Sequence, residues 1–364
     1  MSLLEIGQKI SRNYTVERFL GQGAFAEVYR VKHRYLGRQA MKVFKRIGTV
    51  EEIEAMLGEA ILLSKIGHPN IVRVFEADTV TTSAGQCGFF TMEYVAGGNL
   101  HRFLTSHYSG FVPVEVAVRI LSQICEGLAV AHSEDPPIIH RDVTPQNVLI
   151  GDDTKGLRAR VSDFGLAKRT DPLTLLASTK GTLAFKAPES LRDLRSDSCA
   201  GDVWAIGTIA YLVLTGKLPY EGADGPASFF GAPFLTKPQR PQEINPEIDD
   251  GLAEIVLHAL EPDPAKRTPH AGAMADEFSQ WRLLRGRTKQ SERVHTFSRA
   301  PDPQVVPLDE ARGRQLVGQA LELGRQGSTL TEAIALLEQA FRAWPALRAE
   351  HERRLWLWRK GIVS

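Results

Sequence analysis

The strongest chemical signal in this chain is a group of acidic and amide side chains near its middle. Asp142 and Asn147 come just before the apolar run 148–150, and Asp163 follows shortly afterwards. This spacing places all three on loops at the ends of strands. Carboxylate and amide oxygens suit Mg²⁺, so Asn147 and Asp163 are candidate metal ligands. Asp142 is a candidate for accepting a proton or orienting a hydroxyl group.

A second candidate site lies near the amino terminus, where Gly21 and Gly23 stand between two strand-like segments. Glycine lets a backbone approach an anion closely, because no Cβ intervenes. Lys42 follows on the next strand-like segment, and a half-buried ammonium there needs a partner. Glu59, on the helical stretch that comes next, is the candidate. Two glycines alone suit an ordinary hairpin equally well.

The hydrophobic pattern predicts the elements that hold these residues. Alternation and turn signals predict strands within residues 14–44 and at 71–75 and 88–95. Three- and four-residue spacing predicts helices at 51–65, 114–131, 202–215, 249–260 and 271–284. The stretch 222–243 is rich in Gly and Pro and is predicted to be a surface loop.

Taken in chain order, these motifs resemble the eukaryotic-type (Hanks-type) protein kinases, and most closely the Ser/Thr kinases found in bacteria. The resemblance covers about residues 13–284 and implies an α+β, two-lobed fold. A small β-rich lobe would span about 13–92 and a large helical lobe about 96–284. The matching motifs are the Gly-rich loop, Ala40-Met41-Lys42, Glu59, Met92-Glu93-Tyr94-Val95, His140-Arg141-Asp142 with Asn147, Asp163-Phe164-Gly165, Ala187-Pro188-Glu189, Asp202-Val203-Trp204 and Arg267.

The resemblance implies a role at each matching position. Lys42 would contact the α- and β-phosphates of ATP and be held by Glu59. Asp142 would be the catalytic base, and Asn147 and Asp163 would bind Mg²⁺. Met92 would be the gatekeeper. The implied nucleotide-binding residues are Leu20, Gly21, Gly23, Val28, Ala40, Lys42, Glu93, Val95 and Leu149. A structural ion pair is expected between Glu189 and Arg267.

Two positions depart from the family's pattern. Ala26 replaces the third glycine of the Gly-rich loop. Thr144 stands where Ser/Thr kinases usually carry a lysine that touches the γ-phosphate, and losing such a donor costs about 2–4 kcal/mol. Lys180 or Lys186 is a candidate substitute. Thr182, after Gly181, resembles the Ser/Thr kinase form and would shape the acceptor site near Asp142.

Residues 163–189 would be the activation segment. A phosphate opposite Arg141 would order such a loop through charge-assisted hydrogen bonds. The expected autophosphorylation sites are Ser178 or Thr179, with Thr174 as the next choice. The alternative is a loop that is ordered without modification.

Residues 285–307 carry basic residues and then prolines, and they are predicted to be a linker. Residues 308–364 are predicted to be a helical extension that resembles one tetratricopeptide-like pair. The apolar cluster 355–358 contains two tryptophans, and large apolar side chains so close together are expected to be covered. The extension would therefore either bind a partner protein or pack on the larger lobe.

Composition limits the possible functions. Lys and Arg total 44 and Asp and Glu total 43, so the net charge is +1 and a nucleic-acid-binding field is not expected. The longest apolar run, residues 204–214, is too short to cross a bilayer, which needs about 20 residues. The first ten residues show no secretory signal. The three cysteines form neither a disulfide nor a metal pattern, so a reducing, cytoplasmic location is expected.

The sequence thus predicts a kinase that transfers the γ-phosphoryl group of Mg-ATP to protein Ser or Thr hydroxyls. Two alternatives stay open. One is a kinase of a small molecule on the same scaffold, which Thr144 allows and the activation-segment motifs oppose. The other is a pseudokinase scaffold that acts through its C-terminal helices.

Overall fold

The chain forms two compact units, Met1–Gly286 and Arg287–Ser364. The computed structural model describes residues 2–23, 26–45, 66–82, 85–108, 111–153, 156–164, 183–193, 196–220, 237–298, 310–324, 329–343, 347, 351, 354–355 and 357–358. No helix within these residues has the length and hydropathy that a membrane-spanning segment needs.

The first part of the larger unit is an antiparallel sheet of six strands in the order β1-β2-β3-β4-β6-β5. One face covers a core that includes Tyr29, Val31, Met41 and Val43, which explains the alternating pattern of the sequence. The strands are β1 (Lys9–Ile10), β2 (Tyr14–Gln22), β3 (Ala26–His33), β4 (Gly37–Phe44), β5 (Val74–Thr82) and β6 (Gly85–Glu93).

The strand predicted at 71–75 begins later than the sequence suggests. The Ile71 N–H donates to His68 O in a turn, and Ile71 itself makes only an isolated parallel bridge to Val161. The strand β5 starts at Val74 and pairs with β6 as far as Thr82. The apolar residues 71 and 72 therefore belong to the junction with the second part of the unit.

The second part of the larger unit is mainly helical and contains one hairpin, β7 (Val148–Asp153) with β8 (Gly156–Val161). A short 3₁₀ turn covers Leu183–Phe185. The helices are α1 (Leu100–His107), α2 (Val114–His132), α3 (Pro188–Arg192), α4 (Cys199–Thr215), α5 (Pro241–Ile244), α6 (Asp250–Ala259) and α7 (Ala271–Ser298), the last of which begins in this unit. Together these elements give the predicted α+β, two-lobed arrangement.

Helix α4 is the buried axis of this helical part. Ser198 caps its N-terminus by accepting the Gly201 N–H at 3.1 Å, and Gly216 ends it with a left-handed φ of +72°. Nearly every side chain between these caps is buried, so the helix is apolar all round. Asp202 is its one charged residue, and the first-turn position of Asp202 places a carboxylate inside the core.

Helix α7 continues to Ser298, past position 285, where the sequence suggests that the linker begins. Lys, Arg and Gln are good helix formers, so the basic residues 285–293 do not interrupt the helix. The prolines that would stop it come only at 301 and beyond.

The smaller unit contains the helices α8 (Glu310–Leu323) and α9 (Leu330–Ala343). They share a core with Leu347, Leu355 and Trp358, and Trp358 is only 2 % exposed. The tryptophan is therefore covered inside its own unit, as its size requires. The likeness to a tetratricopeptide pair stays a prediction.

Candidate active site

The loop of residues 140–147 is held by the buried Asp202 of α4. Its carboxylate accepts the backbone N–H groups of His140 at 2.7 Å and Arg141 at 2.9 Å, and His132 Nε2 at 3.1 Å. His132 Nδ1 accepts the Ala271 N–H, which makes Nε2 the donor. These three donors offset the cost of burying a carboxylate. They also hold Arg141 at a φ of +67°, which is uncommon for a residue with a side chain.

His140 fixes the position of the next carboxylate. Its Nδ1 accepts the Asp142 N–H at 3.2 Å, so its Nε2 donates to Ser162 O at 2.9 Å and the ring is neutral. Burial lowers the pKa of His140, against the opposing effect of the nearby Asp202 carboxylate. The ring lies against Phe164, with the centroids 4.5 Å apart. The neutral imidazole thereby joins the 140–147 loop to residues 162–164.

Asn147 lies beside Asp142. Its Nδ2 donates to the Asp142 carbonyl at 2.8 Å and to Asp142 Oδ2 at 3.1 Å. The Asn147 carbonyl accepts the Ser162 N–H at 2.8 Å, at the start of the β7–β8 pairing. This backbone contact brings Asn147 next to the segment that carries Asp163.

Lys42 reaches the same place from the sheet. It lies on β4, opposite Val28 of β3 and Phe90 of β6. Its Nζ is 2.7 Å from Asp163 Oδ1, and both side chains are partly exposed to solvent. Asp163 has a φ of +58°, a left-handed conformation that Asp tolerates better than most residues. The ammonium thus pairs with one predicted acid and the amide with another, and the Ser162–Asn147 backbone bond holds the two pairs next to each other.

The remaining predicted nucleotide-binding residues lie where β4 and β6 meet β7. Ala40 pairs with Met92, and both belong to the core against which Val28 and Leu149 pack. The Glu93 N–H donates to Arg73 O at 2.8 Å, so this N–H is already engaged within the protein. The chain after Val95 is tied to β7, because the Ile150 N–H donates to Gly98 O at 2.8 Å.

The glycines of the β2–β3 turn face open space. A Cβ placed at Gly21 or Gly23 would meet nothing within 4 Å, and neither backbone requires a positive φ. The neighbouring Leu20 is 41 % exposed despite its apolar side chain. Packing therefore explains neither the two glycines nor the exposed leucine.

The donor set suits a hard divalent cation. The Asn147 Nδ2 points at Asp142, so the amide oxygen Oδ1 is the atom available to a metal, and Asp163 supplies a carboxylate. No group of three or more His, Cys, Asp or Glu side chains gathers as a metal site in the described part of the chain. Mg²⁺ needs only a few protein ligands when phosphate oxygens and water complete its coordination.

Several predicted residues lie outside the described part of the chain. These are Glu59, the possible substitute Lys180, the acceptor-site residue Thr182, and the expected phosphorylation sites Thr174, Ser178 and Thr179. Their roles stay predictions.

The ion pair expected from the sequence is confirmed. Arg267 donates from both terminal nitrogens to Glu189, at 2.6 and 3.0 Å, and its side chain is fully buried. It also donates to three backbone carbonyls, those of Glu261, Ala200 and Pro262. The pair fixes the start of α3 against the loop after α6.

Comparison with known proteins identifies the family and the fold of the chain. The family model described as "Protein kinase domain" matches residues 14–279. The chain belongs to the protein kinase family. The crystal structure of the PknI kinase domain from Mycobacterium tuberculosis has the same fold, with a TM-score of 0.58 and 24% identity over 77% of this chain and 99% of that one.

Curated relatives of this kinase include bacterial proteins. A probable serine/threonine-protein kinase of Clostridium acetobutylicum is 30% identical over 75% of this chain and 40% of its own length. The serine/threonine-protein kinase pkn2 of Myxococcus xanthus is 33% identical over 73% of this chain and 32% of its own length. The chain therefore matches less than half the length of these relatives.

Three groups of contacts at the 140–147 loop escape prediction from the sequence. They are the hydrogen bonds to Asp202, the ion pair of Arg141 Nε with Asp197 Oδ2 at 3.2 Å, and the bond from Lys186 Nζ to the Arg141 carbonyl. A lone aspartate in an otherwise apolar helix was a usable signal for Asp202, because a buried carboxylate needs donors. Nothing in the local pattern marks the other two.

Proposed function

We propose that this chain is a serine/threonine protein kinase, which transfers the γ-phosphoryl group of ATP to a Ser or Thr hydroxyl of a protein with the help of Mg²⁺. Two side-chain contacts carry the proposal, Lys42 with Asp163 and Asn147 with Asp142. The hydrogen bond from the Ser162 N–H to the Asn147 carbonyl brings the two pairs together. The names of the curated relatives support the same acceptor class. Family membership alone would leave open whether the site is complete.

Each of these side chains has a task that its surroundings explain. Asp142, held by Asn147 and His140, would accept the proton of the acceptor hydroxyl while that oxygen bonds to phosphorus and the bond to ADP breaks. Lys42 would bind phosphate oxygens of the nucleotide. Asn147 and Asp163 would hold the metal ion, and bound Mg²⁺ would neutralise charge on the phosphates. Positioning and charge neutralisation carry most of such a reaction, so few groups suffice.

The nucleotide would lie under the β2–β3 turn. The open space at Gly21 and Gly23 permits a close approach of phosphate to the backbone, and an adenine ring would cover the exposed Leu20. Val28, Ala40 and Leu149 supply the apolar walls of this site. The Glu93 carbonyl and the backbone of Val95 would bind the edge of the base.

We also infer that the kinase phosphorylates its own activation segment, at Ser178 or Thr179 and next at Thr174. The support is Arg141, whose side chain is 29% exposed and lies against Asp197. A phosphate would replace that carboxylate as the partner of the guanidinium. Mass spectrometry after incubation with Mg-ATP tests this, with Asp142→Asn as the inactive control, and absence of added phosphate in residues 163–189 would refute it.

The acceptor class is tested with γ-labelled ATP and two sets of acceptors, unfolded proteins and small metabolites. The proposal expects label on protein, recovered as phosphoserine or phosphothreonine after hydrolysis. Label on metabolites alone would favour the small-molecule alternative. No transfer by folded protein that binds ATP would favour the pseudokinase. The cytoplasmic location and a partner for the C-terminal helices stay predictions.

A further inference from the structure

A lysine from another segment holds the peptide group between Arg141 and Asp142. Lys186, just before α3, donates a hydrogen bond from its ammonium to the carbonyl of Arg141. That carbonyl belongs to the same peptide group as the Asp142 N–H, which His140 Nδ1 accepts. A charged donor therefore acts directly on the backbone that presents the proposed catalytic base.

This contact is one of two that hold Arg141, whose backbone is strained. We call these two contacts, from Asp202 and from Lys186, the clamp. Arg141 has a φ of +67°, which a residue with a Cβ adopts only when its surroundings impose it. Its N–H is held by the Asp202 carboxylate at 2.9 Å, and its carbonyl is held by Lys186. The two peptide groups that flank the Arg141 Cα are thus fixed by one carboxylate and one ammonium, from two different elements.

The backbone of Lys186 is held in place by its neighbours. Its N–H donates to Leu183 O at 3.1 Å, and its neighbours Phe185 and Ala187 are buried. The helix that follows is anchored through Glu189 by the buried Arg267. The core therefore positions the backbone of Lys186, and the hydrogen bond to the Arg141 carbonyl places its ammonium.

Lys186 also shares a cavity with Asp142. Lys186, Asp142 and Thr144 line one cavity, together with Asp197. Thr144 is buried and neutral, so it brings no positive charge to this cavity, which Arg141 of the same loop also lines. Phosphoryl transfer gains from fixed positive charge near the transferred group, because preorganised charge costs no reorganisation during the reaction.

We propose that Lys186 is a positioning residue for phosphoryl transfer. Its ammonium holds the Arg141–Asp142 peptide in the reactive geometry and keeps a positive charge beside Asp142. The inference rests on the proposed kinase activity. It singles out Lys186 as the residue that offsets the neutral Thr144.

The test compares Lys186→Met with Lys186→Arg, and with Lys217→Met as an exposed control. Misplacing a catalytic group by about 1 Å costs roughly 100-fold in rate. The proposal expects Lys186→Met to lower kcat by about 100-fold, while KM for ATP changes less than about threefold. Lys186→Arg should recover most of the rate, since it keeps a charged donor, and Lys217→Met should match the wild type. A kcat for Lys186→Met within twofold of the wild type overturns the proposal.

A second variant relocates the charge. Thr144→Lys combined with Lys186→Met returns an ammonium to another wall of the same cavity, and we expect kcat to rise about tenfold above that of Lys186→Met, a partial recovery of the expected loss. Thermal unfolding of each variant separates misfolding from loss of position. Lys186→Gln replaces Lys186→Met if the methionine variant does not fold.

A measurement that does not depend on catalysis distinguishes failure of the Lys186 proposal from failure of the proposed kinase activity. In the full chain, hydrogen exchange of the peptide amides in residues 140–144 should speed up in Lys186→Met and stay unchanged in Lys217→Met. Unchanged exchange together with unchanged kcat means that Lys186 positions nothing. A wild type that exchanges as expected and still transfers no phosphate refutes the kinase proposal and leaves the clamp intact.

Discussion

The Lys42 ammonium lies 2.7 Å from the Asp163 carboxylate, although the two residues are 121 positions apart in the chain. The contact connects the central strand of the sheet with the segment after β8. Removing a lysine ammonium or a carboxylate from water costs free energy unless the two charges pair. Here the lysine extends from a strand and the carboxylate lies in a left-handed turn. The pair therefore marks the place where both parts of the larger unit contribute to one site.

Replacing Lys42 by Ala should abolish phosphoryl transfer with little effect on the fold. We expect a loss of at least about 100-fold in kcat/KM, as for the removal of one transition-state donor. The free energy of unfolding should change by less than about 1 kcal/mol, because the pair is partly exposed to solvent. Label transfer and thermal unfolding measure the two effects. The exposed Lys32→Ala on β3 is the control, and equal losses in both variants would contradict the assignment.

Arg267 should be the most sensitive charged residue of the helical part. Removing one partner of a buried pair leaves the other uncompensated, so Arg267→Ala should lower the free energy of unfolding by about 3–5 kcal/mol. Arg240 makes a similar 2.7 Å contact with Glu254, but both side chains are exposed, and Arg240→Ala should cost less than about 1 kcal/mol. Urea unfolding measures both variants. Comparable costs would show that burial does not decide the strength of these pairs.

The motif residues were predictable because their chemistry restricts the residue type. The sequence itself shows an amide and carboxylates beside strand ends, and a lysine on a strand. It does not show the contacts that orient these side chains. Asp202 holds His140 and Arg141 from 62 and 61 positions away. The sequence likewise misplaced the start of β5, because an apolar residue such as Ile71 does not reveal whether it lies in a strand or in a junction.

Acid should destabilise the larger unit through His140. Burial lowers the pKa of His140 below its ordinary 6.5, so the unfolded chain binds a proton that the folded chain does not. Stability from this group is complete above pH 6.5 and is lost as the pH falls below it, by about 1.4 kcal/mol per pH unit for one proton.

Calorimetry in buffers of different ionisation enthalpy would measure the proton uptake on unfolding between pH 7 and pH 5.5. Burial lowers the pKa of His68 in the same direction, so His68→Asn separates its share. Proton release on unfolding within this window would contradict the sign of the effect.

Gly324 should be intolerant of any side chain. A Cβ at this position would lie 2.1 Å from the ring of the buried Trp358, so Gly324→Ala forces the tryptophan out of its place. Overpacking of this kind costs about 1–3 kcal/mol. Gly318, within α8, meets nothing within 4 Å, and Gly318→Ala should instead stabilise the helix by about 0.5–1 kcal/mol. Limited proteolysis of the full chain should therefore speed up in residues 310–358 for the first variant and slow down for the second.

The account depends most on Asp142 as the base of the transfer. The isosteric Asp142→Asn keeps an oxygen that can accept the hydrogen bond from Asn147, but it cannot take a proton. The measurement is the transfer of γ-labelled phosphate to protein. We predict labelled phosphoserine or phosphothreonine with the wild type, and a loss of at least about 100-fold with Asp142→Asn at unchanged ATP binding. Equal transfer by the two proteins would contradict the account.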